Sequence, residues 1–203
     1  MAWRLAGAFE RFDRAELKFC RYLNRSSSSV AVRDLFRLIS WLGDGWIWYG
    51  LLLCLPLLYG AAGLRAALHS ALTGAAGLLI YKLVKTRAVR ERPYITHSVI
   101  QCVSVPLDRY SFPSGHTLHA ISFTLLLTSY FPEWMGVLAA LALLIALSRV
   151  VLGLHYPTDV AAGALLGGAL AMLSLLLGEA FLGPLPMGAG GDLVAQAAGQ
   201  AGG

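Results

Sequence analysis

An all-α, polytopic membrane helix bundle is the fold class this chain predicts, and two observations predict it. Of the 203 residues, 57% are hydrophobic and only 13% charged, and the mean hydropathy is +0.65, which is more apolar than a soluble core of this length. The apolar residues are also gathered into five long runs parted by short polar or proline-broken segments, the pattern of successive membrane crossings. The expected architecture is five transmembrane helices plus an N-terminal interfacial amphipathic helix. It divides the chain into residues 1–29 (interfacial helix and linker), 30–182 (transmembrane domain) and 183–203 (disordered tail).

In the first segment, Leu5, Phe9, Phe12, Phe19 and Leu23 share one helical face, while Arg11, Arg14, Lys18, Arg21 and Arg25 lie mostly elsewhere. That is the pattern of a helix lying in the membrane interface, although Glu16 interrupts the apolar arc. No apolar h-region with a small-residue cleavage site precedes it, so the expectation is a retained segment and not a cleaved signal. Residues 26–29 are a run of serines, and residues 30–37 lead into the first apolar run. The spans are expected at about 40–59, 64–84, 114–131, 134–152 and 157–177, each near the length needed to cross ~30 Å of hydrocarbon. Residues 87–110 are polar and broken by prolines, hence a surface excursion. Beyond Gly183 the chain is rich in Gly and Ala with few charges, a composition without the means to build a core.

A net charge of +5 suits anionic head groups or an anionic substrate. The basic residues flank apolar spans, and no zinc, homeodomain-like or RNA-binding signature is present, which argues against nucleic acid. Cys20, Cys54 and Cys102 lie far apart, with no ligand-like spacing, so neither a disulfide frame nor a zinc site is indicated.

The polar residues are not scattered at random. With five alternating spans, the end of the second, the start of the third, the end of the fourth and the start of the fifth all face one side. Those are the positions of Lys85 and Arg92, of Ser114, Gly115 and His116, of Arg149 and His155, and of Asp159. A single charged residue at a span end reads best as an interfacial anchor. It is the convergence of two histidines, an aspartate, a helix start and three cations that points to handling of a phosphate.

These residues fall into three segments: Lys85 to Pro93 as KxxxxxxRP, Pro113-Ser114-Gly115-His116 as PSGH, and Ser148 to Asp159 as SRxxxxxHxxxD. With these motifs the chain resembles the type 2 phosphatidic acid phosphatase superfamily, matching its signature at every defined position. The motifs cover residues 85–159, and the order of spans extends the likeness to most of the chain. The resemblance implies a bacterial lipid phosphatase of the inner membrane, sensitive to vanadate, with a periplasmic active site. The positive-inside rule argues the other way, because Arg4, Arg11, Arg14, Lys18, Arg21, Arg25, Arg33 and Arg37 lie toward the motif side and would draw it to the cytoplasm. The periplasmic orientation is the one expected here.

The chemistry of each residue can be stated beside the resemblance. His155 is the expected nucleophile, since a neutral imidazole attacks phosphorus and a phosphohistidine splits one hard displacement into two easier ones. Pro157 after Tyr156 should break one helix and start the next, putting Asp159 in its first turn to orient His155. His116 is the expected general acid, protonating the departing lipid oxygen and then activating water. Ser114 and Gly115 open a helix whose first-turn amides favour an anion, although Ser114 also reads as an ordinary cap. Lys85, Arg92 and Arg149 would neutralise the remaining phosphate charge. His119 reads as packing, His69 and His97 as ordinary polar residues, Arg87 and Arg90 as solvated or head-group contacts, and Asp108 and Arg109 as rim residues or an exposed ion pair. No cofactor or metal is expected, because Asp159 is the one acidic residue well placed. The substrate is expected to be a membrane lipid carrying a phosphomonoester or diphosphate: undecaprenyl diphosphate, phosphatidylglycerophosphate or phosphatidate. A lipid phosphotransferase, or a carrier or scramblase without turnover, would use the same cationic mouth.

Overall fold

The computed structural model describes residues 2–104 and 108–182, without the side chains of residues 2–12 and 179–182. The tail beyond Gly183 therefore lies outside the described residues. All regular structure in the described part is helical, apart from one isolated antiparallel bridge between Glu91 and Tyr110. The order is α1 (Ala2–Arg25), α2 (Val30–Trp41), α3 (Ile47–Lys85), α4 (Pro93–Thr96), α5 (Gly115–Tyr130), α6 (Met135–Val151) and α7 (Pro157–Leu182).

Among the described residues, three helical stretches are long and apolar enough to cross a membrane: Val30–Lys85, Pro132–Val151 and Pro157–Gly178. The first runs for 56 residues but is not one rod. At its start, α2 passes through a π-helical turn, Leu42–Trp46, in which Gly45 adopts φ 127°, a region closed to most L-residues. Further on, Gly60 leaves helical geometry at φ 55°, ψ −129°. A Cβ on Gly63 would lie 2.0 Å from the Leu55 carbonyl oxygen, whereas eight residues of unbroken helix would separate the two by about 12 Å. The chain has therefore doubled back, and α3 is a hairpin of two arms, residues 47–59 and 61–85.

Both arms pack on α5. Trp48 of the first arm stacks on Phe123 with ring centroids 5.1 Å apart, and Gly74 of the second lies so close that a Cβ would sit 2.8 Å from the same ring. Central α5 buries Leu118, Ala120, Leu126, Leu127 and Tyr130 completely. Its contact with α7 is closer still. A Cβ on Gly163 or Gly167 would fall 2.4 Å and 2.3 Å from the carbonyl oxygens of Ser114 and Leu118, an approach of backbones that only small residues permit. Leu53, Leu57, Leu72, Val137 and Leu165 are left 72% exposed or more; an outer surface this apolar is suited to lipid rather than water. The molecule is an all-helical, multi-pass membrane protein.

The N-terminal helix departs from the expected pattern. Its protein-facing stripe is Glu16, Cys20 and Asn24, all buried and spaced four apart on one face, while Phe19 stands 51% exposed. Leu5, Phe9 and Phe12 have side chains outside the described part. The Asn24 amide donates to the carbonyls of Val151 (2.9 Å) and Gln101 (3.0 Å) and accepts the Gln101 N–H (2.9 Å). Cys20 packs with Ile100, Val150 and Tyr156. Glu16, which looks like a flaw in an apolar arc, belongs to the docking face.

Candidate functional site

The site forms where α7 begins. Tyr156 precedes Pro157, and the proline occupies the first helical position, where its missing N–H costs nothing. Asp159 follows in the first turn, and its Oδ2 accepts the Tyr156 N–H at 2.8 Å, the reciprocal half of a capping box. Asp159 thus caps the helix with one carboxylate oxygen while keeping its side chain toward His155. Asp159 Oδ2 also faces His155 Nδ1 at 3.7 Å, an electrostatic contact longer than a hydrogen bond.

The opposite nitrogen of His155 is 3.3 Å from Arg92 Nη1. A guanidinium can only donate, so His155 Nε2 carries a lone pair and Nδ1, facing Asp159, carries the proton. His155 is 2% exposed. Burial pushes its imidazole down to about 3; Asp159 pulls upward, and Arg149 and Arg92 push further down. The ring is neutral at ordinary pH, as a nucleophile must be.

α5 starts beside it. Ser114 is fully buried and caps the helix, its Oγ accepting the Thr117 N–H. Its own N–H donates to the Asp159 carbonyl at 3.0 Å, joining the start of α5 to the start of α7. Gly115 follows, where a Cβ would lie 3.0 Å from the Tyr81 ring. The next residue, His116, presents Nε2 to Asp44 Oδ1 at 2.6 Å. Asp44, from the π-helical turn, is a site residue that sequence reasoning missed. The missed signal is an acidic residue inside an apolar span, which is costly without a partner.

The three expected cations converge, and each is already engaged. Arg149 is buried and donates to Ser40 Oγ. Lys85 Nζ pairs with Asp108 Oδ2 at 2.8 Å and donates to Tyr81 Oη at 2.6 Å. Arg92 pairs with Asp108 Oδ1 at 2.9 Å and donates to the Asp108 and Leu154 carbonyls. Asp108 is therefore not an exposed loop charge. Burial works to raise its carboxyl, but Lys85 and Arg92 prevail and hold it below the usual range. Arg109 is exposed and pairs not with Asp108 but with Glu91.

Arg90 also departs from expectation. It is no solvated surface charge: Nη1 lies 2.8 Å from Asp159 Oδ1 and Nη2 lies 2.6 Å from Glu16 Oε2. Arg87 is exposed, as expected. His69 bonds Tyr130 Oη at 2.8 Å and Ser174 Oγ at 2.8 Å, well along the helices from this site. His119 packs against Phe123, and His97 sets its edge to Tyr156. Among the described residues, no group of three or more His, Cys, Asp or Glu side chains is arranged to hold a metal.

A groove of about 440 Å³ runs from His116 between the two arms of α3 and α5, walled by Asp44, Trp48, Leu52, Leu78 and Tyr81. Most of its lining is apolar, and its polar groups are gathered at the His116 end. His155 is not among its walls.

The chain is similar to several known proteins. The chain is 29% identical to a lipid A 1-phosphatase of Rhizobium etli over 79% of its own length and 78% of the relative's. It is 33% identical to the undecaprenyl-diphosphatase BcrC of Bacillus subtilis over 55% of its length and 58% of that protein. It also reaches 49% identity with an undecaprenyl-diphosphatase of Sulfolobus acidocaldarius, but there it spans only 34% of the relative. Among solved structures, LpxE of Aquifex aeolicus superposes with a TM-score of 0.67 at 27% identity, covering 79% of this chain and 94% of that one. The family model of the PAP2 superfamily matches residues 65–181, a stretch that contains all three motif segments. The chain belongs to the PAP2 superfamily.

Proposed function

We propose that this protein is an integral-membrane lipid phosphate phosphatase working through a phosphohistidine. The observation that carries this reading is the setting of His155, a buried neutral imidazole with Arg92 at 3.3 Å from one nitrogen and Asp159 at 3.7 Å from the other. In the first step, His155 Nε2 attacks phosphorus, and the bond from phosphorus to the lipid-side oxygen breaks. His116 gives that oxygen its proton. In the second, His116 takes a proton from water, the water oxygen attacks phosphorus, and the N–P bond breaks to release phosphate and restore His155. Lys85, Arg92 and Arg149, with the amides that follow Ser114 and Gly115, offset the charge on the transferring group. Asp108 must yield Lys85 and Arg92 to the entering phosphate. With that charge answered by fixed cations, the reaction requires no metal or cofactor.

The apolar groove leading to His116 supports a lipid leaving group, since a chain can stay in an apolar slot while its head group reaches the cations. Undecaprenyl diphosphate, phosphatidylglycerophosphate and phosphatidate all meet this description, and the names of the relatives favour the first or a lipid A phosphate. The reading includes five membrane crossings, with the two arms of α3 as the first two, α5 as the third, and α1 lying at the interface. It places the protein in a bacterial inner membrane with the site facing the periplasm.

The test is phosphate release by detergent-purified protein with EDTA present, from a panel of those lipids, for wild type and His155→Ala. Release that survives EDTA and disappears in the variant supports the mechanism and ranks the substrates. Equal release by the variant, or none by wild type unless a second lipid is added as acceptor, rejects hydrolysis through His155.

A further inference from the structure

The N-terminal helix lies outside the region matched by the family model, yet it reaches the candidate nucleophile's aspartate through one arginine. Glu16 is 6% exposed, in spite of its charge. Its Oε1 accepts the Thr158 N–H at 2.9 Å and is also bonded by the Thr158 hydroxyl. Its Oε2 takes Arg90 Nη2 at 2.6 Å. The other arm of the same guanidinium, Nη1, donates to Asp159 Oδ1 at 2.8 Å and to Thr158 Oγ1 at 2.6 Å. The plane of Arg90 is fixed from a third direction by the Tyr156 ring, whose centroid lies 3.9 Å from Cζ.

Two carboxylates are thus bridged by one fork, and both are buried: the side chains of Glu16 and Asp159 are 4% and 0% exposed. Asp159 reaches His155 only at 3.7 Å, so no direct hydrogen bond sets the geometry of that pair. What fixes the carboxylate plane is the Tyr156 N–H on one oxygen and Arg90 on the other. Arg90 in turn has its orientation set by Glu16. Without Glu16, the guanidinium loses one of its two ionic partners and can swing away from Asp159.

We infer that Glu16 and Arg90 are positioning residues for Asp159, so that the N-terminal helix is a working part of the catalytic end and not merely a membrane anchor. This rests on the phosphohistidine reading above. Neither residue touches the space next to His155 Nε2 where phosphorus would arrive, and both act through the orientation of Asp159. Arg90 falls at an unspecified position of KxxxxxxRP and Glu16 outside all three motifs, so the signature does not report them.

The experiment compares Glu16→Gln, Arg90→Gln, the double variant and Asn24→Ala in purified full-length protein, measuring kcat, KM and detergent melting temperature with the best lipid substrate. Asn24 holds the same helix through Val151 and Gln101 and takes no part in the bridge, so it reports docking alone. The expected result is a kcat loss of roughly ten- to hundredfold in each single variant with KM nearly constant. The double variant should be no worse than Arg90→Gln. Asn24→Ala should lower the melting temperature but keep kcat. If Glu16→Gln does not fold, Arg90→Lys, which keeps the charge but not the fork, should show the same split. An unchanged kcat in Glu16→Gln overturns the inference. So do losses that multiply in the double variant, or losses in Glu16→Gln and Asn24→Ala that both simply follow melting temperature. Wild-type hydrolysis abolished by His155→Ala keeps the phosphatase reading standing in each of those cases; its absence rejects that reading first.

Discussion

Asp44 Oδ1 lies 2.6 Å from Nε2 of His116, bringing a carboxylate from the kinked turn before α3 onto the histidine at the start of α5. The contact sets a carboxylate against that ring nitrogen at the head of the groove. Replacing Asp44 by Asn leaves the shape but removes the charge. The expected outcome is a kcat reduced by about one to two orders of magnitude, a part of what general acid catalysis contributes. Steady-state hydrolysis of the lipid substrate checks it, and a variant as fast as wild type would deny Asp44 any part in the reaction.

His155 makes the fold sensitive to acid. Its imidazole moves from 6.5 to about 3 on burial, so between those values the unfolded chain binds a proton that the native state refuses. Stability from this group is complete above pH 6.5 and drains away as pH falls toward 3. At about pH 5 the loss is roughly 2 kcal/mol. Melting temperatures from about pH 7 to pH 5 should fall less steeply in His155→Gln than in wild type. Parallel slopes would contradict the neutral, buried imidazole.

Lys85 and Arg92 pair with Asp108 at 2.8 Å and 2.9 Å, so under the phosphatase reading Asp108 competes with the phosphate for them. Asp108→Asn removes an anion that substrate must displace. Vanadate should inhibit this variant more strongly, by about tenfold, or ~1.4 kcal/mol. Its melting temperature should drop, because two largely buried cations lose their partner. Weaker vanadate inhibition would mean that Asp108 organises the cations and does not block them.

The α5–α7 seam has no room for a methyl group. In Gly167→Ala the added Cβ would meet the Leu118 carbonyl oxygen at 2.3 Å, a clash with backbone that no rotamer relieves. A destabilisation of about 1–3 kcal/mol is expected, read as a lower melting temperature in detergent. Gly136→Ala, where nothing lies within 4 Å, is the control that should leave it unchanged.

Much of this site is legible in sequence because spacing survives folding. The interval from His155 to Asp159 puts the two across a proline-started helix turn, and the Pro-Ser-Gly-His segment announces a capped helix start. The break between the first two apolar runs was equally readable, and it falls at Gly60. What sequence could not supply are partners brought from distant segments. Asp108 reads as a loop acid until Lys85 and Arg92 close on it, and Asp44 reads as a blemish in an apolar run until the π-helical turn swings it onto His116. Glu16 is the instructive case: its intrusion in an apolar face was visible, but the meaning depended on Arg90, more than seventy residues away.

The hydrogen bond from the Ser114 N–H to the Asp159 carbonyl ties the start of α5 to the helix that carries the aspartate, and the glycine seam below it leaves these two helices no slack. Together α5 and α7, with the candidate site at their starts, are therefore a single stiff block. The hairpin of α3 is bound to that block by side chains rather than by backbone contact, and it forms the other wall of the groove. Under the phosphatase reading, lipid preference can be rewritten on the hairpin, at positions such as Leu52 and Leu78, while the chemistry stays where it is. Chain-length selectivity and turnover number are then separately tunable in this protein.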